Sequence, residues 1–337
     1  MTMPDPYVLA NALVLGLLAG AALAVRAAGR NAVWREAGRE LARRRPVALA
    51  VVGLYVLVAL LDSLAWVGGG RAGEARSVVD RAFPTEFRER TYSAPLADAS
   101  FYGATPLEYP GRHLFGTDIL GRDTLYQTLK GARVALLVGG FTSLLAIPLA
   151  LLFGVSAGYF GGRVDAAVVF LMSVVASIPS LLLLVALIMV LGKGTLQVCT
   201  ALGVTGWVGF CRISRGEALK LRELDYVHAA RALGVTEQRI VVRHVLPNLA
   251  HLVVITFALM FSGLVLSEAV LAWLGLGIDG SWGQMIDQAR DELARDPIIV
   301  WNLAAAATAL FGLILAVNLV ADALRDVLDP RTLRERG

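Results

Sequence analysis

An all-α polytopic membrane protein is the fold class that this sequence predicts, on three observations. The chain of 337 residues is 57% hydrophobic and only 17% charged, whereas soluble domains average roughly 45–50% apolar and about 25% charged. Apolar runs near the ~20 residues needed to cross a hydrocarbon core recur along the chain. Lys and Arg collect in the gaps between those runs, as the positive-inside bias of membrane proteins requires. The net charge of +4 therefore belongs to loops that flank spans, and no nucleic-acid face is expected. The same composition excludes disordered, collagen-like and coiled-coil chains.

Seven segments qualify as spans: 7–25, 46–67, 134–158, 166–191, 196–211, 249–274 and 298–321. The first has no basic residue before it, while Arg26 and Arg30 follow it. A secretory signal peptide has the opposite polarity, so 7–25 reads as an extra helix entering from outside. Pro148 and Pro179 fall inside spans, where kinks are tolerated if neighbouring helices satisfy the freed carbonyls. Tyr55, Trp66, Tyr159, Phe160, Trp207, Trp282 and Trp301 mostly fall near span ends, where aromatic rings anchor.

Loop charge sets the orientation. Segment 26–45 carries seven arginines, 212–243 seven basic residues and 325–337 four, and all three are expected in the cytoplasm. Segment 275–297 sets five acidic residues against Arg290 and Arg295, and is expected outside. The long stretch 68–133 is nearly balanced, with nine basic and eight acidic residues. Long loops translocate largely regardless of charge, so it too is placed outside. The chain then divides into an extra helix with a basic linker (1–45), a first core span (46–67), an extracytoplasmic segment (68–132), a core (133–324) with a cytoplasmic loop at 212–247, and a cytoplasmic tail (325–337). Cys199 and Cys211 would lie ~18 Å apart on one helix, too far to bridge, and read as small buried hydrophobes.

The loop 212–247 holds the densest pattern. Leu224, Val227, Ala230 and Leu233 recur at spacing three, which predicts an apolar stripe on a helix. Gly234 is placed to stop it. Thr236 is an N-cap candidate for a second short helix, edged by Ile240, Val241 and Val245 and ended by Pro247. Two short amphipathic helices at an angle make a rigid knob, suited to passing a push from a soluble partner into the flanking spans.

The stretch 226–247, YVHAARALGVTEQRIVVRHVLP, resembles the EAA loop of ABC importer permeases: Glu-Ala-Ala, three residues, Gly, nine residues, an often-aliphatic position, one residue, Leu-Pro. Ala229, Ala230, Gly234, Leu246 and Pro247 stand at the matching places. His228 replaces the Glu and His244 the aliphatic residue. His-x-Leu-Pro-Asn is similar to the dipeptide/oligopeptide/nickel branch. HLFGTDILGRD at 113–123, KGARVAL at 130–136, GYFGG at 158–162, WLGLG at 273–277, SWG at 281–283 and LRDVLDPR at 324–331 are similar to the same branch, in order. The resemblance covers about 33–331.

This resemblance implies a type I ABC importer transmembrane domain, with six core helices plus the extra one. It implies a second permease subunit, two ABC ATPase subunits binding ATP and Mg²⁺, an extracytoplasmic substrate-binding protein and membrane lipid as partners. It also implies the bacterial cytoplasmic (inner) membrane, with the C-terminus cytoplasmic, and short peptides or nickel as cargo. On this view the chain has no catalytic residue, metal or cofactor of its own. The coupling loop would use Tyr226, His228, Ala229, Ala230, Arg231, Gly234, Arg239, Arg243, His244, Leu246 and Pro247. Small residues at Ala229, Ala230 and Gly234 would permit close approach, and Arg231, Arg239 and Arg243 would offer charge to the ATPase.

Competing signals are weaker. The chain has no phosphate-binding Gly-x4-Gly-Lys-Ser/Thr loop, so an ATP-driven reading needs ATPase on another chain. Gly154-x-Ser156-x-Gly158 matches a nucleophile pattern, but that chemistry needs a strand–turn–helix elbow. In a span it reads as a face for close helix packing. The four histidines lack carboxylate or Cys companions at ligand spacing. Glu268 is the one ionisable residue deep in a span, and such groups are functional candidates. With Asp118, Arg122 and Asp123 it is a candidate for the translocation path or a gate. An ion-gradient-driven secondary transporter is the alternative, though its usual relay of buried ionisable groups is not evident.

Overall fold

The computed structural model describes residues 32–67, 75–83, 88–103 and 105–328, with scattered positions from 11 to 30. The expected span 7–25 lies largely outside the described residues; those described between 11 and 27 are helical. Elements are numbered from the first continuous helix: α1 (Ala32–Arg44), α2 (Pro46–Ser63), β1 (Ala65–Trp66), β2 (Arg76–Ser77), α3 (Val78–Ala82), α4 (Thr124–Phe160), α5 (Gly162–Ser177), α6 (Ser180–Leu191), α7 (Thr195–Leu221), α8 (Asp225–Ala232), α9 (Glu237–Ile240), a π-helical turn (Val241–Val245), α10 (Leu246–Asn248), α11 (Ala250–Trp273), α12 (Trp282–Leu293) and α13 (Trp301–Leu328). Among the described residues, α2, α4, α7, α11 and α13 are long and apolar enough to cross a bilayer, and the α5–α6 pair makes a sixth candidate.

Three boundaries depart from the sequence reading. The span expected at 166–191 is not one kinked helix, because the chain turns by 88° between α5 and α6. Pro179 is the cause: it precedes α6, removes a donor and excludes Ile178 from helical geometry. Helix α4 starts at Thr124, ten residues before the expected 134, and runs through Pro148 without a break. Its polar first turns hid it from a hydropathy reading. The span expected to end at 211 continues to Leu221 as an amphipathic extension.

The chain parts into two compact units. One gathers the described residues up to Leu137 with Ser267–Ala323; the other holds Val138–Leu266. In the first, β1 and β2 pair antiparallel, a feature too short for alternation to reveal. Ser77 caps α3 in a reciprocal capping box with Asp80. Lys130 Nζ lies 2.9 Å from Asp62 Oδ1 and 2.6 Å from Asp80 Oδ1, tying the end of α2, α3 and α4 together. Trp282 donates to the Thr128 carbonyl at 2.8 Å and is buried against Gly131, which has no Cβ to obstruct the ring. Of the aromatics expected near span ends, Trp282, Trp207 and Tyr159 are buried within the chain.

In the second unit, α4 and α7 touch backbone to backbone. A Cβ on Gly154 would stand 2.6 Å from the Cys211 carbonyl, and one on Gly158 would stand 2.8 Å from the Ala218 Cβ. The Gly154–Gly158 pair is thus a packing face, as its spacing predicts. Arg215 clasps Asp165 through two bonds of 2.5 and 2.7 Å, joining α5 to α7. Cys199 and Cys211 are free and buried.

Candidate functional site

The knob expected at 212–247 forms within the second unit. Helix α8 begins after Leu224, whose extended backbone breaks the run of α7. It ends in a Schellman turn: the Gly234 N–H donates to the Arg231 carbonyl at 3.0 Å and the Val235 N–H to the Ala230 carbonyl at 3.1 Å. Gly234 holds φ +77°, a left-handed value that costs side-chain-bearing residues roughly 1–2 kcal/mol. Thr236 occupies the cap position of α9, but its side chain makes no capping bond.

Val227 and Ala230 of α8, Ile240, Val245 and Leu249 form one buried cluster with Val155 and Tyr159 of α4 and Ala218 and Leu221 of α7. Burial of this cluster fastens the knob to the ends of two long helices. The stripe is narrower than spacing three suggests, because Leu224 and Leu233 face solvent, Leu233 with 84% exposure. At 100° per residue a three-residue period drifts, and Val227 and Ala230 are its inward centre.

A polar lock sits beside the cluster. Arg231 Nε donates to Glu237 Oε1 at 2.9 Å, and the Tyr159 hydroxyl donates to the other oxygen. The Arg231 bond, aided by Tyr159, holds the Glu237 carboxyl below the usual carboxylate range. Arg231 thus serves the knob's own structure, and it is exposed, as are Arg239 and Arg243. Tyr226 and His244 bring their rings within 6.2 Å, and Asn248 Nδ2 bonds the His244 carbonyl at 2.6 Å and the Tyr226 hydroxyl at 3.2 Å. His228, in the place of the motif Glu, is exposed, 4.0 Å from Glu223.

Pro247 does not end a helix as expected. The π-helical turn absorbs it, Leu246 N–H bonding back to Val241, and after α10 the chain turns only at Leu249 before α11. The knob is thus continuous with the next span. Ala229, Gly234 and Pro247 are exposed and Leu246 half-buried. A Cβ on Gly234 would meet nothing within 4 Å, so in the isolated chain this glycine answers to backbone geometry.

The gate candidates are engaged elsewhere, in the first unit. Asp118 is buried and accepts from Leu120 N, Arg122 N and Arg122 Nε at 2.8–2.9 Å. Asp123 pairs with His113 Nδ1 at 2.8 Å. Together they form a hydrogen-bonded turn. Glu268 is buried and accepts from Ile278 N at 3.1 Å, bracing the turn after α11. The lock of Tyr159, Arg231 and Glu237 escaped sequence reasoning because Tyr159 is 78 positions from Glu237.

Residues 150–334 match the family described as binding-protein-dependent transport system inner membrane component. The chain is 28% identical over 304 residues to the oligopeptide transport system permease protein OppC of Haemophilus influenzae, covering 89% of each. It is 34% identical over 298 residues to a putative peptide transport system permease protein of Brucella suis, covering 87% of this chain and 90% of that one. To the dipeptide transport system permease protein DppC of Bacillus subtilis it is 36% identical over 229 residues, 66% and 70% of the two chains. An inward-facing structure of the MetNI methionine ABC transporter aligns with a TM-score of 0.50 over 60% of this chain and 97% of that one, at 20% identity. That likeness bears on fold alone.

Proposed function

We propose a function from one premise: this chain belongs to the family of binding-protein-dependent transport system inner membrane components. It is a multi-pass permease subunit of an ABC transporter, with the type I importer fold. The finer reading is that it imports short peptides through a pore formed with a second permease. An extracytoplasmic binding protein delivers the cargo, and two ATPase subunits carrying ATP and Mg²⁺ drive the cycle. The names of its relatives favour peptides over nickel. The C-terminus and the knob lie in the cytoplasm on this reading.

The observation that carries it is the knob's double attachment. Its buried side joins α4 and α7, its end runs into α11, and its outer side leaves Leu233, Val242, Arg239 and Arg243 uncovered. A surface pressed there by a closing ATPase pair moves three long helices together, with no reaction on this chain. Purification of the assembled transporter in mild detergent tests it. Recovery of two ATPase chains and a second permease is expected. A lone chain that transports in ATP-free vesicles under an ion gradient would overturn it in favour of a secondary transporter.

A further inference from the structure

We propose that α1 is a lipid-binding element, whose arginine stripe takes the phosphate headgroups of anionic phospholipids at the membrane face where α2 begins. The helix divides its residues by face. Ala37 and Leu41 are buried and, four apart, share one side. Arg35, Arg39 and Arg43 stand at successive i+4 positions, a second stripe, and all three are exposed. Among the described residues none of these three guanidinium groups is paired with a carboxylate. Glu40 is taken up by Arg44 at 2.7 Å. Glu36 is exposed and leaves the face strongly positive. Arg26, Arg30 and Arg45 are exposed as well.

Position selects the partner. Only Arg45 separates α1 from α2, so the stripe begins within a turn or two of the membrane entry. The Asn11 side-chain amide donates to the Ala65 carbonyl at 2.5 Å and accepts from the Ala65 N–H at 3.1 Å. Asn11 therefore lies beside the far end of α2. A helix of 13 residues, ~20 Å long and joined to a span through one residue, would place its whole stripe within reach of the headgroup layer. Guanidinium forks match phosphate oxygens in geometry and charge. Clusters of four to eight basic residues beside a span attract anionic lipid, by about fivefold in affinity for each residue.

Native mass spectrometry of the full chain tests this, after purification from membranes containing phosphatidylglycerol, cardiolipin and phosphatidylethanolamine. The wild type is expected to retain the two anionic lipids over phosphatidylethanolamine. R35Q/R39Q/R43Q is expected to weaken that retention at least about tenfold, while Arg26, Arg30, Arg44 and Arg45 preserve the topology. R35K/R39K/R43K, which keeps the charge, is expected to retain most of it. Hydrogen exchange on the wild type in nanodiscs gives a second reading that needs no variant: α1 is expected to be more protected in phosphatidylglycerol than in phosphatidylethanolamine. Equal retention of all lipids by the wild type, unchanged retention by the glutamine variant, or equal exchange in both nanodiscs would overturn the proposal. So would a glutamine variant that keeps its lipid but loses a partner subunit, since the stripe would then be a protein contact.

Discussion

At the scale of single residues, the knob is held by backbone geometry and a few polar locks. Gly234 at φ +77° leaves room around its Cβ position, so Gly234→Ala tests conformation and not crowding. It should destabilise the α8–α9 turn by roughly 1–2 kcal/mol and lower uptake, and Gly234→Trp should abolish uptake while membrane insertion stays normal. Vesicle uptake beside surface labelling measures both. Outside the spans, burial pushes the Asp80 carboxyl up, but Lys130, the Ser77 N–H and the Tyr126 hydroxyl together bring it down to about 2. A depressed folded value stabilises the fold above the ordinary carboxylate pKa of about 3.9 and is lost as pH falls toward about 2. Thermal unfolding of Asp80→Asn should therefore show a deficit on the order of 2 kcal/mol at pH 7 that shrinks below pH ~4. The stop at Gly234 was legible from its place after the apolar stripe. The contact of Tyr159 with Glu237 was not, since a pair separated by 78 positions leaves no local pattern.

At the scale of elements, the long apolar helices were readable because a span needs a continuous run. Their polar ends were not, and the first turns of α4 and the last of α7 were missed for that reason. The break at Pro179 shows the limit of composition: Pro148 and Pro179 both sit in apolar runs, yet only the second interrupts a helix, where the chain turns by 88°. The attachment of the knob follows from buried contacts. Ile240→Ala, at a side chain with no exposure, should cost about 2–5 kcal/mol and loosen the knob from α4 and α7. In the assembled transporter, ATP hydrolysis should then persist while uptake falls. Uptake and hydrolysis falling in parallel would indicate lost assembly and not lost transmission. Gly154→Leu should also impair folding, because its side chain has no space beside the Cys211 carbonyl and Ser214. A lower melting temperature in detergent, by the equivalent of about 1–3 kcal/mol, is the expected reading.

For the whole molecule, the proposed function requires that the protrusion between α7 and α11 carry the motion of a separate motor into a lipid-buried bundle. Family membership establishes the permease, and α9, the π-helical turn, α10 and α11 follow one another with a turn only at Leu249. The gate candidates Asp118, Arg122, Asp123 and Glu268 each hold local hydrogen bonds. The most direct test is a photo-crosslinking side chain at position 233, where Leu233 is 84% exposed, in the assembled transporter. An adduct with the mass of this chain plus one ATPase subunit is expected, stronger or weaker as nucleotide is added. Labelling of the same position from outside intact cells, with no such adduct, would contradict the claim.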